Sequence, residues 1–342
     1  MVDAGSRGRR SQLRPGRRRR AICPERGGRG IPDRAPIAEE ELGALAARLP
    51  AHVRFGASSW NYPGWRGLVY HRDYQGRGAS ARMLEEYAAF PLFRTVGIDS
   101  SFYAPPTDAV LGAYAEHLSP GFPCVSKVWN QLTVHTFTKA QDKARAGQLN
   151  PDFLHADLFL EAVYEPYRQY FADHAGPFVF EFQTVGRSSG LAPEQFANRL
   201  DEFFGALPRD GQYAVEIRNE EFLTPMYFAV LREHGVAHVF NSWTRMPSIG
   251  DQLDLPGAVS GSFLVARALL QPGRTYDEAV DAFAPYDRIR DPSPALRADL
   301  VRLIETAVRT RIPAYLLVNN RAEGSSPLTI AEVLRMLPPA AA

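Results

Sequence analysis

The chain reads as an α/β protein folded into a single (β/α)8 barrel of the TIM type, for three reasons. Eight short apolar runs, rich in β-branched or aromatic residues and bounded by Gly, Pro or Asp, recur from Val53 onward. A helical pattern follows each of them. Almost every run also ends in a polar or charged residue, which in a closed barrel gathers those side chains into one mouth. A doubly wound open sheet would not need eight units and would carry a glycine-rich first turn, which Gly56-Ala57-Ser58-Ser59-Trp60 lacks.

The runs, taken in order, are Val53–Trp60, Thr95–Tyr103, Cys124–Trp129, Phe178–Gln183, Tyr213–Asn219, His238–Trp243, Ser260–Leu270 and Ala314–Asn320. Between them, Thr224 before Pro225 is an N-cap with proline at the first helical position, and Gly235 closes the same helix. Phe196, Leu200, Phe203, Phe204 and Leu207 recur at helical spacing, as do Ile330, Val333, Leu334 and Leu337. The stretch Ile37 to Leu49 reads as a helix leading into the first run, with Glu39, Glu40 and Glu41 in its first turn. The connection from Asn130 to Gly176 is long for a barrel; it contains His135 and a helix expected from Asp152 to about His174, and long loops at this end commonly act as lids.

Composition agrees with one large core. The chain has 342 residues, 45% of them hydrophobic. Cys23 and Cys124 lie far apart in different settings, so a disulfide framework is not expected and a reducing cytoplasm is the natural compartment. No apolar stretch reaches the roughly 18 residues that a membrane span needs. The net charge of +1 hides an asymmetry: residues 1–34 hold eleven Arg against Asp3, Glu25 and Asp33, a formal +8 that leaves −7 for the remainder. Residues 1–36 are therefore expected to be a disordered Arg-rich tail, dispensable for folding, with residues 37–342 forming the barrel and its N-terminal helix. Such a tail can bind nucleic acid through phosphate contacts or simply remain solvated.

Alternation along the strands selects the inward-facing residues. In the fourth run Phe178, Phe180 and Phe182 suit the helical layer, which turns Val179, Glu181 and Gln183 inward. In the fifth, Tyr213, Val215 and Ile217 face the helices, so Glu216 and Arg218 face in. Lys127 shares a face with Val125 and Trp129, and Asp99 shares one with Gly97, Ser101 and Tyr103. Later runs add Asn241, Arg267, Asn319 and Asn320.

These residues also carry a resemblance. Gly56-Ala57-Ser58-Ser59-Trp60-Asn61-Tyr62-Pro63-Gly64-Trp65 resembles the opening signature of the YecE-like family, domain of unknown function 72. So do Ser101-Phe102-Tyr103, Lys127 with His135 beyond it, Val215-Glu216-Ile217-Arg218, and Asn319-Asn320 followed by Gly324. The resemblance runs in register from about residue 53 to the C-terminus and implies a single (β/α)8 barrel, without an established activity. The chain departs from the family pattern at Glu181 (usually Gln), Asp99 (Asn), Asn219 (His) and Asn241 (often Asp).

The chemistry expected of this wall is metal-independent and cofactor-free acid–base catalysis, by a hydrolase or isomerase, on a small anionic, sugar- or nucleotide-like substrate. Glu181 beside Glu216 is a like-charged pair: either one carboxyl is raised in pKa, which suits a general acid, or Lys127 and Arg218 neutralise both. An ion-pair network filling the upper barrel is the alternative. The turn Gly324 to Pro327, with Ser326 as N-cap and Arg267 converging on it, reads either as an anion site or as an ordinary capped helix. Trp60, Tyr62, Trp65, Tyr103, Trp129 and Trp243 concentrate near the mouth, where rings stack on a ligand or close the core. The eight His are scattered without metal-binding spacing. A non-catalytic module that binds nucleic acid or another ligand remains the competing class.

Overall fold

The computed structural model describes residues 37–339, apart from 140, 187 and 188. The Arg-rich segment expected to be a tail, and Cys23 within it, lie outside the described residues. Eight strands, all parallel to their neighbours, form the barrel: β1 Val53–Ala57, β2 Val96–Ile98, β3 Cys124–Lys127, β4 Ala175–Phe182, β5 Tyr213–Ile217, β6 Ala237–Asn241, β7 Leu264–Ala268 and β8 Ala314–Val318. Hydrogen-bonded pairing runs from β1 through β8 and back down to β2. At the seam, the amides of Arg94 and Thr95 donate to Phe55 O in place of a regular ladder. Two glycines permit this close approach: a Cβ on Gly56 would sit 2.0 Å from Thr95 O, and one on Gly97 would sit 2.7 Å from Ser58 O.

Most of the observed strands stop short of the apolar runs that announce them. β2 gives way after Ile98 to a 3₁₀ turn over Asp99–Phe102, and β5 ends one residue before Arg218. The polar residues closing each run therefore leave the sheet and reach the mouth from strand exits, where backbone geometry is freer.

The helices form where caps and stripes require them. Thr224 accepts a hydrogen bond from Tyr227 N at the start of the helix Pro225–Glu233, and Gly235 takes φ +68° beyond its end. The helix Pro193–Gly205 buries Phe196, Leu200, Phe203 and Phe204 against the phenylalanines of β4. The N-terminal helix spans Glu39–Arg48 and packs against the last helix, Ser326–Met336. In the long β3–β4 connection the helical stretch begins at Ala156 and passes through a wide π turn, Leu160–Tyr164, just before Pro166. The π turn accommodates a proline that has no N–H to offer the preceding turn.

Two apolar layers result. Phe178, Phe180, Phe182, Val215 and Ile217 belong to the large core between sheet and helices. Val125, Val179, Ala214, Val239, Val265 and Leu317 form a separate cluster inside the barrel. The alternation expected of β4 and β5 is the one observed, and on β3 it holds for Val125 and Lys127, whereas Trp129, beyond the strand's end, packs on the outer core. Among the described residues no helix is long and apolar enough to cross a membrane.

Candidate functional site

One step above the inner apolar cluster, the barrel interior becomes charged. Register places Glu181 beside Glu216 on β4 and β5, and Asn241 beside Arg267 on β6 and β7. Three cations meet one oxygen: Glu181 Oε2 lies 2.6 Å from Lys127 Nζ, 2.9 Å from Arg218 Nη2 and 2.9 Å from Arg267 Nη1. Arg267 also reaches Glu216 Oε2 at 2.5 Å and grips both oxygens of Asp99, at 3.0 and 2.8 Å. Arg218 completes the group by donating to Glu216 Oε1 from Nε at 3.3 Å and from Nη2 at 3.2 Å. Asp99 Oδ2 stands 3.5 Å from Lys127 Nζ.

Burial opposes the charge on Glu181, but Arg218, Lys127 and Arg267 outweigh it and hold its carboxyl well below the usual carboxylate range. Burial likewise disfavours the Arg267 guanidinium, and Asp99, Glu216 and Glu181 more than offset it. Of the two states left open for the carboxylate pair, Glu181 thus takes the neutralised one, as an ionised acceptor.

The network forms the floor of a cavity of about 580 Å³ at the C-terminal ends of the strands. Exposure grades the six side chains: Asp99 is 26% open, Lys127 12% and Arg218 10%, against 2% for Glu181, 1% for Arg267 and none for Glu216. Glu216 does not line the cavity. Glu216 is sealed beneath the floor beside Glu181, and the carboxylate most open to a ligand is Asp99. Tyr62, Tyr103, Trp243, Asn319 and Arg321 wall the cavity. Arg218 stacks 3.8 Å above the Trp243 ring, and Lys127 Nζ lies 4.9 Å from the centre of Phe102.

Several expected ligand contacts are not brought here. Trp60 is buried edge-on against Tyr114, with its indole N–H donated to Ser80 O, and Trp65 is fully buried. Trp129 packs on the core below the mouth. Asn241 donates to Ile217 O and accepts from Trp243 N, so its amide holds backbone together. Asn320 Oδ1 accepts from Ser326 N, Ser326 Oγ and Trp65 Nε1, away from the cavity.

The turn Gly324–Pro327 is packed inside the protein, and its groups are engaged there. Ser325 and Ser326 are fully buried, Asn320 rather than a ligand satisfies the Ser326 amide, and a Cβ on Gly324 would meet Arg288 O at 2.5 Å. Ser325, not Ser326, occupies the N-cap position. Arg267 points to the carboxylates instead of this turn. Sequence reasoning placed Arg267 on the mouth but missed its role, because alternation gives the face of a strand and not the reach of a guanidinium across the barrel. Phe102, Leu269, Leu270 and Arg321 were also missed as lining residues; their positions at strand exits were the available signal. Among the described residues no group of three or more His, Cys, Asp or Glu converges as a metal site would require.

Fold and site together define a TIM-type barrel with a charged cavity at the strand C-termini. The chain belongs to the family described as "Protein of unknown function DUF72", whose model matches residues 54–342. It is similar in structure to a DUF72 family protein of Thermotoga maritima, at 17% identity and a TM-score of 0.55, covering 83% of this chain and 98% of that one. A DUF72 family protein of Enterococcus faecalis matches at 14% identity and a TM-score of 0.56, covering 85% and 99%. At such identities the likeness is one of fold. No curated protein matches the chain.

Proposed function

We propose that the barrel mouth binds a small anionic molecule bearing hydroxyls or a planar ring and catalyses proton transfer on it. The observation that carries this reading is the graded floor: Asp99 and Lys127, the two most open of its charged groups, lie 3.5 Å apart under a 580 Å³ cavity, backed by four more charged groups. Lys127, Arg218 and Arg267 balance Asp99, Glu181 and Glu216, and the ammonium and guanidinium N–H groups of Lys127 and Arg218 reach the cavity surface. Such donors suit an anionic group on a ligand.

In this reading Asp99 accepts a proton or orients a hydroxyl, and Lys127 stabilises the oxygen on which negative charge develops and returns a proton to it. Glu181 stays ionised and fixes the Lys127 ammonium, while Glu216 and Arg267 position Glu181 and Asp99. The ring of Trp243, already stacked on Arg218, offers a face to a planar group.

Solvent deuterium incorporation tests the proposal. The intact protein in D₂O is screened against sugar acids and sugar phosphates, and a substrate is expected to exchange or convert. Asp99→Asn should lower that rate by at least about a hundredfold, within the usual contribution of general acid–base groups, while ligand binding persists. Lys127→Met should impair both. Binding without exchange or conversion across the panel would leave a ligand-binding module instead of an enzyme.

A further inference from the structure

Most of the Arg218 guanidinium is committed within the protein. Nε and Nη2 donate to Glu216 Oε1, Nη2 also meets Glu181 Oε2, and the Trp243 ring lies over the guanidinium. Nη1 finds no hydrogen-bond partner among the described residues. Arg218 is only 9% exposed and lines the mouth, so its uncommitted N–H groups have given up most of their water without a protein acceptor in exchange. An oxyanion in the mouth would supply that acceptor.

Lys127 stands close enough to share the same ligand group. Its Nζ and Arg218 Nη2 meet one oxygen, Glu181 Oε2, at 2.6 and 2.9 Å, so these two nitrogens are no farther apart than the two contacts laid end to end. A carboxylate can place one oxygen on each cation. Charge favours it over a phosphate dianion, because Lys127, Arg218 and Arg267 already balance Asp99, Glu181 and Glu216. A monoanion leaves the floor one negative charge in excess, a dianion two, in a place where uncompensated charge is costly.

Asp99 sets the ligand's next atom. Arg267 Nη2 holds both its oxygens, at 3.0 and 2.8 Å, and Lys127 Nζ lies 3.5 Å from Oδ2. Oδ1 thus keeps a lone pair to spare, on a side chain 26% open. A ligand group there must donate a hydrogen bond. An ammonium would crowd a third cation around one carboxylate, whereas a hydroxyl would not. Since Lys127 touches both Asp99 and the carboxylate seat, that hydroxyl belongs on the carbon next to the acid. Beyond this head group, Trp243 and Leu270 pack in one apolar cluster and both line the mouth, whose 580 Å³ leaves room for a substituent.

We propose that the mouth takes a 2-hydroxy carboxylic acid with a flat apolar substituent. The carboxylate bridges Lys127 and Arg218 Nη1, the hydroxyl donates to Asp99, and the substituent lies against Trp243 and Leu270. The inference rests on the anion-binding reading of the mouth and adds the ligand's class.

Titration calorimetry on the full chain, with mandelate, phenylacetate, 3-hydroxy-3-phenylpropanoate, lactate and phenylalanine as probes, tests it. The better-bound enantiomer of mandelate should bind at least roughly tenfold more tightly than phenylacetate, about 1.4 kcal/mol. It should also exceed 3-hydroxy-3-phenylpropanoate, whose hydroxyl is one carbon too far, and lactate, which lacks the ring. Asp99→Ala should erase the gap between mandelate and phenylacetate, and the wild-type series decides the matter if that variant does not fold. Equal wild-type affinity for mandelate and phenylacetate, tighter binding of phenylalanine or of the 3-hydroxy acid, or a gap that survives Asp99→Ala overturns the placing of a 2-hydroxyl on Asp99. Lactate binding as tightly as mandelate overturns the apolar substituent. The mouth reading fails separately if inorganic phosphate stabilises the wild type and Lys127→Met equally in thermal unfolding. Phosphate stabilisation that Lys127→Met abolishes, with none of the acids bound, overturns the ligand class alone.

Discussion

Two layers inside the same barrel differ by one strand step and have opposite chemistry. Val125, Val179, Ala214, Val239, Val265 and Leu317 make an apolar plug. Two residues further along the same strands stand Lys127, Glu181, Glu216, Asn241, Arg267 and, just past β8, Asn319. Both layers are largely buried, yet they contribute differently. Burial of each Val or Leu in the plug stabilises the fold by roughly 1.5–3 kcal/mol. The charges above must give up water, and a buried ion-pair group is often no more stable than apolar packing of the same volume. The plug therefore holds the barrel closed, while the charged layer is a part of the interior that closure does not require. That contrast supports a functional reading of the upper layer.

The largest effect should come from breaking the upper layer on one side only. Arg267→Ala removes the partner shared by Asp99, Glu181 and Glu216. Leaving those carboxylates uncompensated should cost about 3–5 kcal/mol in urea unfolding. Leu317→Ala in the plug should cost about 2–5 kcal/mol through a cavity, with no change in the protein's salt or pH response. A loss below about 1 kcal/mol for Arg267→Ala would show that Lys127 and Arg218 carry the network without it.

Protonation separates the layers further. His238 on β6 faces the helices, hydrogen-bonded to Tyr227 and Gln252, and burial lowers its pKa from 6.5 to about 4. The unfolded chain then binds the proton first, so stability is fully present above pH 6.5 and falls between there and about pH 4. The shift corresponds to roughly 3 kcal/mol. Glu181 has the same sign in a lower window: its folded pKa is depressed below 4.5, so its contribution is present above that value and is lost as pH falls further. Unfolding measured from pH 8 to 3 should show both losses, with His238→Gln removing the first and Glu181→Gln the second. A first loss that survives in His238→Gln would place it on another group.

Much of this was legible in the sequence. Period-two alternation separated Phe178, Phe180 and Phe182 from Val179 and Glu181, because a one-residue slip would have placed carboxylates among the helices. The strand exits carrying Asp99, Lys127 and Arg218 followed from the same pattern. The depth of each group within the mouth was not legible: Glu216 and Asp99 look alike in sequence, yet one is sealed and the other is partly open. Nor was the covering of Gly324–Pro327, since Arg288 and Arg290 come from a connection with no periodic signal. Trp60 read as a mouth aromatic because its run ends there, and its burial depends on Tyr114, more than fifty residues away.

The smallest expected change in stability makes the sharpest comparison. Replacing Glu216 and Arg267 together by Met converts the deepest part of the upper layer into an extension of the plug. It leaves Asp99 and Glu181 facing Lys127 and Arg218, so the remaining charges still balance. Because both desolvated partners go at once, stability should move by less than about 2 kcal/mol, in either direction. Function should not follow stability. Asp99 loses the guanidinium that grips both its oxygens and Glu181 loses one of three cations, so ligand affinity or turnover at the mouth should fall at least roughly tenfold, about 1.4 kcal/mol of binding. Unfolding of the double variant would mean that the charges are part of what closes the barrel, and the contrast between the layers would disappear. A folded variant with wild-type binding would confine the chemistry to Asp99, Lys127 and Arg218 and reduce Arg267 to a spectator. Only the combination of retained fold and lost binding assigns the two layers their separate tasks.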